Sequence, residues 1–261
     1  MVRAAWPIVV ATLGCTSARA DAPEPDAPTP DAPTPDCSSR ETLELAGRQV
    51  DRLSDQSVMF RAGMAIDADG SPHAYHPDDT GLDFLANAGE PGNWWALVVD
   101  GEGVPIVQTA ADPAPGYHVS MTALEDRTRA TTDPRRYVDA ETIAFVVLPP
   151  ALKKWSGAKL GDLALVVDPE SGKRSLAMFA DLGPRDRLGE GSIALAKALG
   201  IPDDPRRGGT TRALVWLVWP GSGDGKPHDA AWIGEQGEAA LARWGGLARL
   251  ERCLESESES E

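Results

Sequence analysis

Positive charge is what this chain is short of. Its 25 Lys and Arg face 40 Asp and Glu, a formal net charge of −15 over 261 residues. Such a surface repels phosphate backbones and anionic lipid headgroups, which argues against a nucleic-acid partner and suits a polycation. Cysteine is also scarce. There are three, with no C-x-x-C pair and no zinc-type spacing. The apolar stretch Ala4 to Leu13, about ten residues, is too short to cross a bilayer as a helix. Metal patterns stay incomplete. Asp67-Ala68-Asp69-Gly70 begins like a calcium loop, but His76 stands where the bidentate Glu belongs. His73 and His76 lack a clear third ligand and read as hydrogen-bonding groups. No metal or cofactor is expected.

What is present begins with an export signal. Arg3 followed by the short apolar stretch reads as a signal peptide over residues 1–20. Thr12-Leu13-Gly14-Cys15 offers a lipobox, with Cys15 as the acylated residue. Ala18-Arg19-Ala20 offers an ordinary cleavage site instead. Both readings predict an exported protein, either extracellular or held at the cell surface or outer membrane as a lipoprotein. Residues 21–37 repeat Asp-Ala-Pro with Thr or Glu spacers, a composition that favours extended polyproline II. About 16 such residues at ~3.1 Å each would hold a domain up to ~50 Å from an anchor. The remaining cysteines, Cys37 and Cys253, bracket the folded region and suggest a disulfide in an oxidising compartment. The domain is expected over 38–254, followed by an acidic, solvated tail at 255–261.

Apolar residues make up 42% of the chain, enough for a substantial core. Ser38 or Ser39 can cap a helix running to about Leu53, with Leu43, Leu45, Ala46, Val50 and Leu53 as its apolar side. Short β-like runs follow at 58–66, 95–99, 104–108, 118–122, 143–148, 163–167, 176–180 and 213–219. Asp100-Gly101-Glu102-Gly103 marks a hairpin between the second and third. Ser192 can cap a helix at 193–199 ended by Gly200, and Asp229 a second at 230–244 ended by Gly245-Gly246. The balance predicts a mainly β or α+β domain with a barrel at its centre and a few peripheral helices.

The chemistry is expected at 176–201. An apolar strand ends at Asp181, Gly183-Pro184 turns the chain, and Glu190 sits between Gly189 and Gly191 before the capped helix. Two carboxylates therefore face one loop. Glycosidic hydrolysis needs such a pair, one protonated to serve the leaving oxygen and one ionised to activate water. The flanking glycines would let substrate approach the backbone closely. Asp as a turn former and Glu as a helix-dipole partner offer plainer explanations of the same residues.

This segment resembles the catalytic region of glycoside hydrolase family 75, the fungal-type endo-chitosanases. An Asp at a strand end and a Glu in a G-E-x-S motif are the essential pair there, matched here by Asp181 and Glu190-Gly191-Ser192. Further similar pieces, in order, are 67–77, 81–89, Asn93-Trp94-Trp95, 112–120, 133–149 and Gly161-Asp162, so the resemblance covers about residues 55–252. It implies an inverting chitosanase that cleaves β-1,4 links between glucosamine residues; the chain is expected to be a monomer. Glu190 is the expected acid and Asp181 the base, with exchange of roles left open. Subsites for an amine-bearing sugar would use carboxylates and aromatic platforms: Asp67, Asp69, Asp139, Asp162, Tyr75, Tyr117, Trp94 and Trp95. Adjacent Trp94 and Trp95 cannot both point inward on one strand. A weaker similarity, D-x-G-P followed by a Ser-capped helix, is to double-psi β-barrel proteins such as rare lipoprotein A, and implies a six-stranded barrel. That similarity keeps open a peptidoglycan-cleaving lipoprotein, and loss of chemistry would leave a non-catalytic glycan-binding surface protein.

Overall fold

A computed structural model describes residues 36–258, with side chains through Glu255. The signal peptide, Cys15, the Asp-Ala-Pro segment up to Pro35 and residues 259–261 lie outside the described residues. Ten strands and four α-helices follow in the order β1 (Ser39–Leu45), β2 (Arg48–Leu53), β3 (Val58–Asp67), β4 (Gly89–Glu90), β5 (Asn93–Trp94), β6 (Phe145–Leu148), α1 (Pro150–Ser156), β7 (Leu163–Val167), β8 (Arg174–Leu182), β9 (Glu190–Ser192), α2 (Ile193–Leu199), β10 (Thr210–Trp219), α3 (Ala230–Trp244) and α4 (Gly246–Ser258). The main sheet runs β1-β2-β3-β10-β7-β8-β6-β9, and a β3–β9 pairing closes its last six strands into a barrel. This is the mainly β, α+β architecture with a six-stranded barrel expected above. Two of the barrel pairings, β3–β9 and β6–β8, are parallel, and the rest are antiparallel.

Strand alternation divides the core. On β10, Leu214, Trp216 and Val218 join one apolar cluster, while Val215, Leu217 and Trp219 join another. The first contains Phe60, Phe179 and α2, with Phe60 stacked on Trp216; the second contains Ile233, Leu241 and Trp244 of α3. A strand covered on both faces must be apolar at every position, which is why residues 214–219 read as a continuous run.

The expected helix at 38–53 is instead the β1–β2 hairpin. Residues 43, 46, 50 and 53 fit a helical spacing, and local pattern alone left that option open. Pairing decides otherwise. Leu43 faces Val50 across the hairpin, and β2 extends the edge of β3, burying Val50 and Leu53. Ala46 and Gly47, at φ of 53° and 67°, supply the left-handed turn such a hairpin needs. The 95–108 hairpin closes through Asp100 N–H to Val104 O, 2.9 Å, but its arms and 118–122 carry only isolated bridges. Pro105 opposite Val99 cannot donate to a ladder.

Both capped helices form as read. Ser192 Oγ accepts Leu195 N–H, and Asp229 accepts Trp232 N–H. The acidic tail is not wholly coil, because α4 continues to Ser258. Cys37 and Cys253 are bonded, closing a loop of 216 residues in sequence separation. In the chain-entropy model such a closure contributes about 5 kcal/mol. Beside it, buried Arg249 binds Asp55, the carbonyls of Asp36 and Trp244, and the face of the Trp244 ring. That anchor fixes α4 and was not evident in the sequence.

Candidate functional site

Strand β6 is the spacer that sets the two carboxylates apart. Val147 is in register with Asp181 of β8 on one side and with Glu190 of β9 on the other. Two strand spacings separate their Cα atoms, about 9–10 Å. On the far side of β9, β3 runs parallel with Ala65 against Glu190 and Asp67 against Ser192, which brings Asp67 to the same end. Asp69 follows in the turn after β3. These groups line a cleft of about 650 Å³ together with Tyr75, Asp83 and Trp95.

Asp181 is buried. One of its oxygens, Oδ1, accepts the N–H groups of Ala123 and Leu182, both at 2.8 Å. Asp67 Oδ1 accepts Asp69 N–H at 2.7 Å, and Tyr75 donates its hydroxyl to Asp69 Oδ1 at 2.7 Å. Asp67, Asp69 and Asp181 each present an oxygen within 4.8 Å of the others. Carboxylates this close and this dry cannot all be ionised. Burial, then the neighbouring carboxylates, pushes Asp67 and Asp69 well above the usual range. Asp181 is pushed up to about 7, first by burial, against the opposing pull of its two N–H donors and with a further push from Glu190. Glu190 is raised by burial but held back by the Arg187 guanidinium, with Asp83 pushing the other way. Closely spaced oxygens of this kind suit either shared protons or a hard cation.

Glycine matters here for space. A Cβ on Gly183 would lie 2.9 Å from Glu190 Oε2 and 2.7 Å from Val147, so Gly183 makes room for the Glu190 carboxyl. Gly189 and Gly191, expected to open the backbone to substrate, do something else. Their Cβ positions are occupied by Gly63 O at 2.1 Å and by Leu195 and Phe145 O at 2.7 and 2.9 Å, so they seat β9 tightly against its neighbours.

The other expected residues divide. Trp95 stands 57% exposed at the cleft, its Nε1 donating to Asn87 O, while half-buried Trp94 packs on the first core cluster. This is the division expected of adjacent tryptophans. Tyr117 meets the rings of His73 and His76 edge-on and does not line the cleft. Asp162 is buried and accepts the N–H groups of Lys159, Gly221 and Gly223, tying two loops together away from the cleft. Asp139 lies on a different and larger cleft, about 1090 Å³, and caps its own turn through Glu141 N–H and Thr142. Asp162, Asp139 and Tyr117 therefore lie outside the cleft that brings Asp181 and Glu190 together. His73 pairs with Glu141 at 2.8 Å, and His76 Nδ1 accepts Asp78 N–H.

Sequence reading missed the opposite wall. Arg206 donates to the carbonyls of Asp79, Gly81 and Asp83 and lies over Phe84, clamping that loop against the cleft. Asp83 in turn accepts from Asn87 and Phe84 N–H. Isolated arginines after Pro205 carry no pattern that would have announced this. No protein-family model matches the chain, and no curated protein matches it.

Proposed function

We propose that the chain is a glycoside hydrolase acting on an amino-sugar polymer by an inverting mechanism, with chitosan as the substrate its resemblance implies. The observation that carries this reading is the placement of Asp181 and Glu190 on either side of β6 in one cleft. A separation of two strands leaves room for a sugar and a water between a proton donor and a water activator. The electrostatics favour exchanging the roles first expected. Asp181, holding its proton to about pH 7, suits the general acid. Glu190, restrained by Arg187, suits the base. Asp67 and Asp69 offer hydrogen-bond partners to a protonated amine, and Trp95 offers a stacking face. The Cys37–Cys253 bond supports an exported protein, and a monomer tethered through Cys15 remains part of the proposal.

The test is product chemistry. The wild-type protein should release oligomers from soluble chitosan whose new reducing ends appear first as the α-anomer by NMR. Asp181→Asn and Glu190→Gln should each fold and lose at least ~10³-fold in kcat. Wild-type turnover in either variant defeats the mechanism. Muropeptide release from cell-wall sacculi without chitosan cleavage would transfer the chemistry to peptidoglycan.

A further inference from the structure

The cleft has two electrical sides. Asp67, Asp69 and Asp181 gather at the strand ends, whereas Arg185, Arg187 and Arg207 line the mouth. All three arginines are exposed. Several arginines elsewhere meet carboxylates: Arg52 meets Glu41, Arg129 Asp133, Arg136 Glu125, Arg212 Asp168 and Arg249 Asp55. Among the described residues, no ion pair or hydrogen bond engages the side chains of Arg185, Arg187 or Arg207. Asp186, between the first two, is exposed and does not line the cleft. In a chain of net charge −15, Arg185 and Arg207, which meet no carboxylate, and Arg187, whose charge reaches Glu190, form a local patch of the opposite sign around one opening. A polymer of glucosamine alone has no group for them, and its ammonium groups would be repelled there.

We infer that the arginine mouth is a subsite for a carboxylate, so that the preferred substrate is an amino-sugar polymer whose chain also bears carboxylate groups. The inference rests on the glycoside hydrolase reading and narrows its substrate. Guanidinium forks bind planar carboxylates in a bidentate way, and arginines exposed at a mouth avoid the cost of burying the pair. The carboxylate would dock beside the sugar whose link is cut, while the neutral or amine-bearing neighbour faces Asp67 and Asp69.

The test separates binding from turnover by using Glu190→Gln in calorimetric titrations at pH 6 and low salt. The probes are a chitosan hexamer, its O-carboxymethylated form and its O-sulfated form. The carboxymethylated hexamer should bind at least ~10-fold more tightly than the parent. That preference should fall below ~3-fold when Arg185→Gln and Arg207→Gln are added. Equal binding of parent and carboxymethylated hexamers, or a preference that survives the arginine changes, overturns the inference, as does tighter binding of the sulfated form. Peptide-stripped peptidoglycan strands, bearing lactyl carboxylates, and a polymer alternating N-acetylglucosamine with glucuronate then distinguish two sources of the group. Binding of neither above the parent hexamer also overturns the inference. The preference with no reducing ends from any polymer in the wild-type protein would uphold the subsite and sink the hydrolase.

Discussion

Two clefts of the molecule hold their carboxylates in opposite ways, and the smaller is the one proposed to carry the chemistry. In the larger, of about 1090 Å³, acidic groups have partners: Glu125 meets Arg136 and Arg127, and Asp126 meets Arg129 and Thr128. Hydrogen bonds from those partners hold both carboxyls below their usual range. In the smaller, of about 650 Å³, Asp67, Asp69, Asp181 and Glu190 are raised first by burial and then by neighbouring carboxylates, for Glu190 by Asp83 and against Arg187. A fold tolerates such uncompensated charge at some cost, and perturbed carboxylates in a cleft are a better sign of a site than volume. Asp139 is the partial exception in the larger cleft, raised chiefly by burial, with a smaller push from Glu141, against its local hydrogen bonds.

The sharpest way to break the contrast is to remove one carboxylate from each cleft. Asp181→Asn should cost at least ~10³-fold in kcat on a cleaved glycan, whereas Glu125→Gln should leave kcat/KM unchanged and cost ~1 kcal/mol or less in a denaturant melt. A large activity loss from Glu125→Gln would move the site to the larger cleft.

Stability against pH is the next discriminator. Asp181 has its folded pKa raised from 3.8 to about 7, so the folded state binds the extra proton between those values. Its contribution is full below about pH 4 and is lost as pH rises through about 7. Stability should therefore decline from pH 5 to pH 8, and Asp181→Asn should flatten the decline by ~2–4 kcal/mol. Activity should fall over the same upper range if Asp181 is the acid. An unchanged slope in the variant would mean that Asp181 ionises normally.

Smaller effects probe the walls. Gly183→Ala should crowd the Glu190 carboxyl and lower kcat ~10-fold with little change in KM. Trp95→Ala should raise KM ~3- to 10-fold and leave kcat nearly intact, because the exposed ring offers stacking and takes no proton. The converse split for Trp95 would make it part of the reacting geometry.

Much of this was readable in one dimension. The caps at Ser192 and Asp229 depend on a side chain and the N–H three residues on, so local order is enough to find them. The continuous apolar run at 214–219 announces a strand covered on both faces in the same way. Asp181 and Glu190 were legible because they end one strand and begin another within a single loop. The hairpin at 39–53 was not, since its residues satisfy two periods and only the free edge of β3 selects one. Asp139 and Asp162 looked like Asp67 in sequence, but the fold places them outside the Asp181–Glu190 cleft, where they accept N–H groups of nearby loops.

By itself, then, the sequence determined the capped helices, the covered strands, the terminal cysteine pair and the two carboxylates of the 176–201 segment. Tertiary structure alone decided that Asp67 and Asp69 join Asp181, that Arg206 builds the far wall, and that Arg185 and Arg207 stand at the mouth without a carboxylate partner. The reason is physical: caps and alternation are set by neighbours within a few residues, whereas dielectric, spacing and charge balance arise only when distant strands close into a barrel.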